Sequence, residues 1–391
     1  MSSLCVKEYP DQRSTKPHQL PIYATSSFEF ESMQEGIDIF KGNKSGHVYS
    51  RYGNPTIDTV SQKLADLEAF GTGLQAYGYL TSSGMSAIST LVLALLKSGD
   101  TILTQSDLYG GTTELFLKVI ANSGIKTIFT DLTDADKVEQ ILLADRSIKM
   151  MYIETPANPT MKCIDLLQSS RLARKYGAVT CVDNTFCTPI VQQPLSLGID
   201  FVIHSTTKYL NGHGNSIAGV IIGHDEKYKK QVWTALKLLG PTCNPWDAWL
   251  INNGLKTLAI RMQKHAENAM AISLFLAKHP KVKKVNYNGL ESHPYHAIAK
   301  KQMKSFGGML SFEVDGTLSQ VLKVIDNMKF CTVAPTLGDV DTLVLHPATS
   351  SHLNVDKSQR EASGVTDGLI RLSVGIEAVE DIITDLDQAL R

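Results

Sequence analysis

The chain has 391 residues, of which 43% are hydrophobic, enough to bury more than one core. Its 38 Lys and Arg balance 39 Asp and Glu, for a formal charge of −1 with no long basic run, so nucleic acid is not expected as a main partner. No segment reaches the roughly 18 consecutive apolar residues of a membrane helix, and "MSSLCVKEYPDQRSTK" (1–16) has no hydrophobic signal core, so a cytoplasmic protein off the membrane is expected. The six cysteines, Cys5, Cys163, Cys181, Cys187, Cys243 and Cys331, form no C-x-x-C and are read as reduced thiols.

Residues 1–55 have prolines and glycines but weak periodicity and read as an irregular arm that packs on something else, such as another subunit. An alternation follows: helix over 85–97, strand over 100–105, amphipathic helix over 111–124, strand over 125–132, helix over 134–144 and strand over 148–154. It continues with helix over 165–177 and strands over 178–183, 199–205 and 217–223. Short, continuously apolar strands alternating with helices predict a mostly parallel sheet covered on both faces, an α/β architecture. After about residue 225 the pattern changes to one long helical stretch over 255–280, ended by Pro280, and then to an α+β unit. The boundary between the two units is expected within that helix.

In an open parallel sheet, ligands bind beyond the carboxyl ends of the strands. Three features fall at such ends. "LTSSGMSAIS" (80–89) is a small-residue loop with Gly84 entering a helix, and its free backbone N–H groups suit a phosphate, although Ser83 could simply cap the helix. "CVDNTF" (181–186) ends a β-branched strand on Asp183, which either needs a cationic or proton-donating partner or caps an exposed turn. "HSTTKYLNGHG" (204–214) sets Lys208 among hydroxyls just past the next strand, where a surface lysine in a polar turn is the alternative. Taken together the three meet the demands of pyridoxal phosphate. Its aldehyde forms a Schiff base with lysine, its ring nitrogen pairs with a carboxylate, and its phosphate needs a helix N-terminus with hydroxyls.

At this point the sequence resembles the Cys/Met-metabolism family of pyridoxal-phosphate enzymes, which includes cystathionine γ-synthase, cystathionine and methionine lyases and O-acylhomoserine sulfhydrylases. "YSRYGNPT" (49–56), "SSGMSAI" (82–88), "DLYGGTTELF" (107–116), "ETPANPT" (154–160), "VDNTFCTP" (182–189), "HSTTKYLNGHG" (204–214), "GLKTLAIRM" (254–262) and "GLIRLSVGIE" (368–377) are similar to its motifs, in order across nearly the whole chain. The resemblance implies the aspartate-aminotransferase-like fold type I. Residues 1–56 would be an N-terminal arm on the neighbouring subunit, 57–255 a cofactor domain with a mostly parallel seven-stranded sheet, and 256–391 a smaller α+β domain. It implies that Lys208 holds the cofactor and moves protons, and that Asp183 keeps the ring nitrogen protonated. Ser205, Thr207, Gly84 and Met85 would bind the phosphate, with Tyr49 and Arg51 completing that site from a second subunit. Tyr109 would stack on the ring and act as acid/base. Arg371 would clamp the substrate carboxylate, with Thr336 also at the substrate and Asn158 assisting at that carboxylate or at the cofactor's ring hydroxyl. The expected assembly is a homo-oligomer, active as a dimer and built as a dimer of dimers. From pattern alone Tyr109 could be a core aromatic and Arg51 a solvated charge. His204, His213, His346 and His352 match no common zinc spacing and read as structural, so no metal is expected.

Within the family, Gly111 in "YGGT" differs from the cysteine that methionine γ-lyases generally carry there, whereas "TLGDVDTLVLHPATSSH" (336–352) is more like methionine γ-lyases and sulfhydrylases. Pro335 stands where cystathionine γ-lyases tend to have a Glu facing the substrate's distal end. The expectation is α,γ-elimination at a Cγ–S bond, giving 2-oxobutanoate, ammonia and a thiol. The alternatives are γ-replacement on an O-acylhomoserine, or a non-catalytic cofactor-binding protein, against which the intact Lys208, Asp183, Tyr109 and Arg371 speak.

Overall fold

The computed structural model describes residues 1–7, 17–353 and 355–391. Seven strands form one sheet: β1 (Tyr77–Thr81), β2 (Thr101–Thr104), β3 (Lys126–Phe129), β4 (Ile148–Glu154), β5 (Val179–Asp183), β6 (Phe201–Ser205) and β7 (Gly219–Gly223). Their order is β1-β7-β6-β5-β4-β2-β3. Only β7 runs against its neighbours; the ladder from β6 to β3 is parallel throughout. Helices cover both faces, so β2 and β7 are buried at every position and β4 at all but Lys149, which is why they read as apolar runs rather than alternations. The sheet's carboxyl edge is in step at its centre, where Glu154 pairs with Asp183 and Asp183 with Ile203.

Local chemistry ends each element near the site. The helix Gly84–Leu95 starts at a capping box, in which Ser83 Oγ accepts the Ser86 N–H at 3.0 Å and Ser86 Oγ accepts the Ser83 N–H at 2.9 Å. The helix Leu166–Tyr176 is capped by Asp165 and stopped by Gly177, whose φ of 76° is the left-handed conformation glycine tolerates.

The second sheet comprises β8 (Val282–Asn286), β9 (Met309–Val314), β10 (Thr332–Val333), β11 (Leu343–Leu345) and β12 (Leu369–Ser373), ordered β10-β11-β12-β9-β8. Leu310, Phe312, Ile370 and Leu372 face a core shared with Ile272 and Leu276 of the helix Leu258–Leu276 and Ile382 and Leu386 of the helix Val379–Leu390. Strand alternation therefore turns Arg371 to the opposite face.

Three stretches differ from the sequence-based expectation. Residues 1–55 include the helices Ser2–Val6 and Met33–Lys41, and Cys5 is fully buried in a cluster with Ile57, Val60 and Met262, so the chain's start packs on its own helices. The stretch 111–124 is one turn of α-helix (Gly110–Glu114), one of π-helix (Leu115–Val119) and one of 3₁₀-helix (Ile120–Ser123), ended by Gly124 at φ 75°. The helix expected over 255–280 is present but narrower, Leu258–Leu276, stopping four residues before Pro280, and a separate helix, Pro245–Leu255, ends just before it begins. At the break, Arg261 donates to the Gly254 carbonyl at 2.8 Å and to Thr257 Oγ1 at 3.0 Å, which makes the interruption tolerable. Among the described residues no helix is long and apolar enough to cross a membrane.

His265, on the second of these helices, is fully buried, and its Nδ1–H donates to the Val374 carbonyl at 2.6 Å. Burial lowers its pKa from 6.5 to about 4. Below the unfolded value the unfolded chain binds a proton that the folded chain refuses, so this contribution is present above pH 6.5 and is lost as pH falls toward 4. Wild-type stability is expected to drop between about pH 7 and pH 5, and His265→Gln should remove about 2 kcal/mol of that pH-dependent drop, as read by denaturant unfolding at both pH values.

Candidate active site

The site lies where β4, β5 and β6 end. Asp183 closes β5, and the backbone turns back so that the Thr185 N–H and hydroxyl donate to its Oδ1 at 3.0 and 2.5 Å. The Thr185 hydroxyl oxygen in turn accepts the Ser205 N–H at 2.9 Å, which ties the tips of β5 and β6 together. The Tyr152 hydroxyl donates to Asp183 Oδ2 at 3.4 Å. No Lys, Arg or His forms an ion pair with Asp183 among the described residues, and burial pushes its carboxyl above the ordinary range despite the Thr185 hydrogen bonds. It is a deep acceptor that lacks a cation.

Lys208 follows β6 by one turn, its N–H bonded to the Ser205 carbonyl at 3.2 Å. Behind that turn the buried guanidinium of Arg261 donates to the Tyr209 and Leu210 carbonyls at 2.8 and 3.4 Å. Lys208 Nζ donates to Thr336 Oγ1 at 3.1 Å. Arg371 Nη2 donates to the carbonyl of the same Thr336 at 2.8 Å. Burial, and the charge of Arg371 second, lower the Lys208 pKa, so its amine loses a proton more readily than an exposed lysine. Arg371 is only 4% exposed, its Nε has no hydrogen-bond partner, and burial lowers its pKa to about 10. A buried guanidinium with a free donor and no carboxylate among the described residues is a receptor for an anion.

The helix that starts at Gly84 abuts the tip of β6. A Cβ at Gly84 would lie 2.8 Å from Ser205 Cβ, and one at Gly219 would lie 2.3 Å from the Ser83 carbonyl oxygen. Glycine is required here because the helix start must touch the strand, and that contact places the first N–H groups beside the Ser205 hydroxyl. Met85 follows Gly84 in the helix's first turn. Thr207 is engaged differently from expectation: its hydroxyl donates to the Ala218 carbonyl and accepts the Ala218 N–H, both at 3.2 Å, so it must reorient to donate to a phosphate.

Tyr109 caps the short helix Gly110–Glu114 and is 48% exposed, with its ring folded over Gly111, where a Cβ would meet Tyr109 Cε1 at 2.6 Å. Asn158 is buried, with Oδ1 lacking a partner. The residue that connects them was not singled out in the sequence. Glu154, at the end of β4, accepts the Tyr109 N–H at 2.8 Å and the Asn158 N–H at 3.4 Å. Burial, and next the charge of Asp183, push its carboxyl above the ordinary range. Its signal was present as the first letter of "ETPANPT", a strand-end carboxylate in register with Asp183.

Tyr49 and Arg51 are not brought to this cluster. Arg51 donates to the Lys237 carbonyl at 2.6 Å and sits over the Tyr52 and Tyr49 rings, 4.8 and 5.6 Å from their centroids. Of the histidines, His204 is fully buried with Nε2 2.6 Å from Glu68 Oε1, and His346 bonds Thr349 and the Asp367 carbonyl. His213 donates to the Asn211 carbonyl, and His352 bonds the Ser351 hydroxyl. All six cysteines are free and buried.

The family model described as "Cys/Met metabolism PLP-dependent enzyme" matches residues 2–391. The chain is 45% identical over 373 residues to an L-methionine gamma-lyase of Fusobacterium nucleatum subsp. polymorphum, covering 95% of this chain and 93% of that one. It is 42% identical to a cystathionine beta-lyase of Coxiella burnetii, over 95% and 92% of the two chains. A crystal structure of cystathionine gamma synthase from Xanthomonas oryzae pv. oryzae in complex with cystathionine superposes with a TM-score of 0.92, at 39% identity, covering all of this chain and 97% of that one. The chain therefore belongs to the Cys/Met metabolism family of PLP-dependent enzymes, and its architecture is fold type I. The site fits that cofactor on its own terms, with an acceptor lacking a cation at Asp183, a glycine-lined helix start at Gly84 and an amine of lowered pKa at Lys208. Gly84→Ala should weaken pyridoxal-phosphate binding by at least about tenfold, since the new methyl forces the helix start off Ser205; dialysis against cofactor with absorbance detection measures it.

Proposed function

We propose that the chain cleaves the Cγ–S bond of a sulfur amino acid by α,γ-elimination, taking up water and yielding 2-oxobutanoate, ammonia and a thiol. The observation that carries this reading is the shared anchoring of Lys208 and Arg371 on Thr336, which holds a proton-moving amine beside an anion receptor. Bound pyridoxal phosphate supplies an electron sink that acidifies the carbons next to the amino group. Lys208 would hold the cofactor and, once released from it, take up and return protons at the substrate's Cα and Cβ. Asp183 would hold a proton on the ring nitrogen. Ser205, Thr207, Gly84 and Met85 would bind the phosphate, Arg371 would clamp the α-carboxylate with Asn158 and Thr336 beside it, and the Tyr109 hydroxyl would protonate the departing sulfur. Support for a γ-lyase comes from the similarity to relatives named for that activity and from Pro335, which brings no charge toward the distal end of the substrate. The similarity to cystathionine gamma synthase keeps γ-replacement as the competing outcome.

We read the chain as a cytoplasmic homo-oligomer, minimally a dimer and built as a dimer of dimers, with residues 1–56 as an arm, 57–255 as the cofactor domain and 256–391 as the smaller domain. Arg51, bonded to the Lys237 carbonyl, and Tyr49, whose ring lies beneath its guanidinium, make no hydrogen bond to Lys208 of their own chain among the described residues and suit a role in a neighbour's phosphate site.

Incubation with methionine, with cystathionine, or with O-acylhomoserine plus a thiol should release 2-oxobutanoate fastest from a thioether substrate. Rapid thioether formation with only traces of the oxo acid would overturn elimination in favour of replacement. Purified protein should be yellow and Lys208→Ala should lose that absorption, with activity down by at least about a thousandfold. Mixing Lys208→Ala with Arg51→Ala chains should restore activity well above that of either alone, and failure to do so would refute a site shared across the dimer.

A further inference from the structure

Tyr109 makes no side-chain hydrogen bond among the described residues, and nearly half its surface is exposed. Its ring is therefore aimed by its backbone. That backbone is fixed at one end by its carbonyl, which accepts the Thr112 N–H at 2.9 Å as the short helix begins. It is fixed at the other end by its own N–H, which donates to Glu154 Oε2 at 2.8 Å. Glu154 is itself immobilised. The buried Gln105 side chain, at the end of β2, donates to the Glu154 carbonyl at 2.7 Å and accepts the Glu154 N–H at 3.0 Å, locking the residue on both sides of its α-carbon. The other carboxylate oxygen receives the Asn158 N–H at 3.4 Å. One carboxyl group thus reaches from the rigid centre of the sheet to both loops that flank the cleft.

The choice of a carboxyl here is costly. Glu154 is 7% exposed and stands in register with Asp183, so two acidic groups share a small buried volume with Asp107 adding a third nearby. An apolar residue would relieve that repulsion. What it could not do is accept an N–H from each loop at that reach. We propose that Glu154 is a positioning residue, which sets the Tyr109 ring, and with it the Tyr109 hydroxyl, at the height the reaction needs by acting as a fixed-length acceptor for the Tyr109 N–H. The requirement is reach rather than charge. This inference rests on the role proposed for Tyr109, and its test is arranged so that the two can fail separately.

Glu154→Gln keeps the length and an acceptor oxygen but removes the charge, whereas Glu154→Asp keeps the charge and shortens the arm by one carbon. With methionine as substrate, Glu154→Gln should stay within about threefold of wild-type kcat, and Glu154→Asp should lose about tenfold or more in kcat with KM little changed, because a small misplacement of a reacting group lowers the rate steeply. Both should keep the yellow absorption of the bound cofactor. In a Tyr109→Phe background, Glu154→Asp should cost little further, since the hydroxyl it positions is gone. The reverse order, with Asp active and Gln impaired, would overturn the inference by showing that charge is what matters. Full, multiplicative losses in the double variant would overturn it as well, by showing that Glu154 acts independently of Tyr109. If Glu154→Asp does not fold, Glu154→Gln decides alone: a loss of about tenfold or more with the cofactor band intact refutes the inference. A Tyr109→Phe enzyme as active as wild type would instead refute the role of Tyr109 itself.

Discussion

Two groups whose electrostatic demands the chain leaves unmet, the half-buried Asp183 and the buried Arg371, organise this molecule. Asp183 sits at the end of β5 with hydrogen-bond donors but no cation, and Arg371 sits in the middle of β12 with a free Nε and no anion among the described residues. Desolvating either charge without a partner is unfavourable, and in the reading proposed above a ligand with a protonated nitrogen and a carboxylate would answer both. The remaining architecture holds these two demands at one cleft. Parallel strands bring Asp183 and Ser205 to a common edge, and strand alternation turns Arg371 away from its own core and toward Lys208.

Between these charges the site is built from backbone as much as from side chains. The helix start at Gly84 works because nothing but a hydrogen separates it from Ser205. The Lys208 turn is held from behind by Arg261, a guanidinium spent on carbonyl groups rather than carboxylates, available because the helices Pro245–Leu255 and Leu258–Leu276 do not join. The gap between the two helices is therefore part of the support of the Lys208 turn.

Much of this was legible in the sequence, for identifiable reasons. Strands β2 and β4 to β7 were visible because burial on two faces leaves a near-unbroken apolar run, and the residues at their ends follow from where such runs stop, whereas β3, an edge strand with no buried position, was read from its short apolar run between two helices. Lys208, Asp183, Gly84 and Arg371 stood out as residue types that are expensive where they fall. β1 and the helix Pro55–Ala69 escaped notice. β1, "YGYLT", is short and amphiphilic, and the helix buries Lys63 and Glu68, polar residues that disguise its inner face. Glu154 was hidden for another reason. Its role lies in accepting two backbone N–H groups, and no pattern of side chains reports where an N–H will point. The composite helix 110–123 was equally unreadable, because its π and 3₁₀ turns reflect the fit of the loop to the sheet rather than its own periodicity.

Thr336 gives its hydroxyl to the lysine and its carbonyl to the arginine. One residue of a connecting segment thus carries both the amine proposed to work on the substrate and the guanidinium proposed to recognise it. The two cannot be retuned separately: any drift of this segment, by mutation or by thermal motion, shifts grip and reactivity in step. Diversification of such enzymes toward new sulfur compounds is therefore channelled to the far end of the substrate, where change leaves that shared hinge untouched.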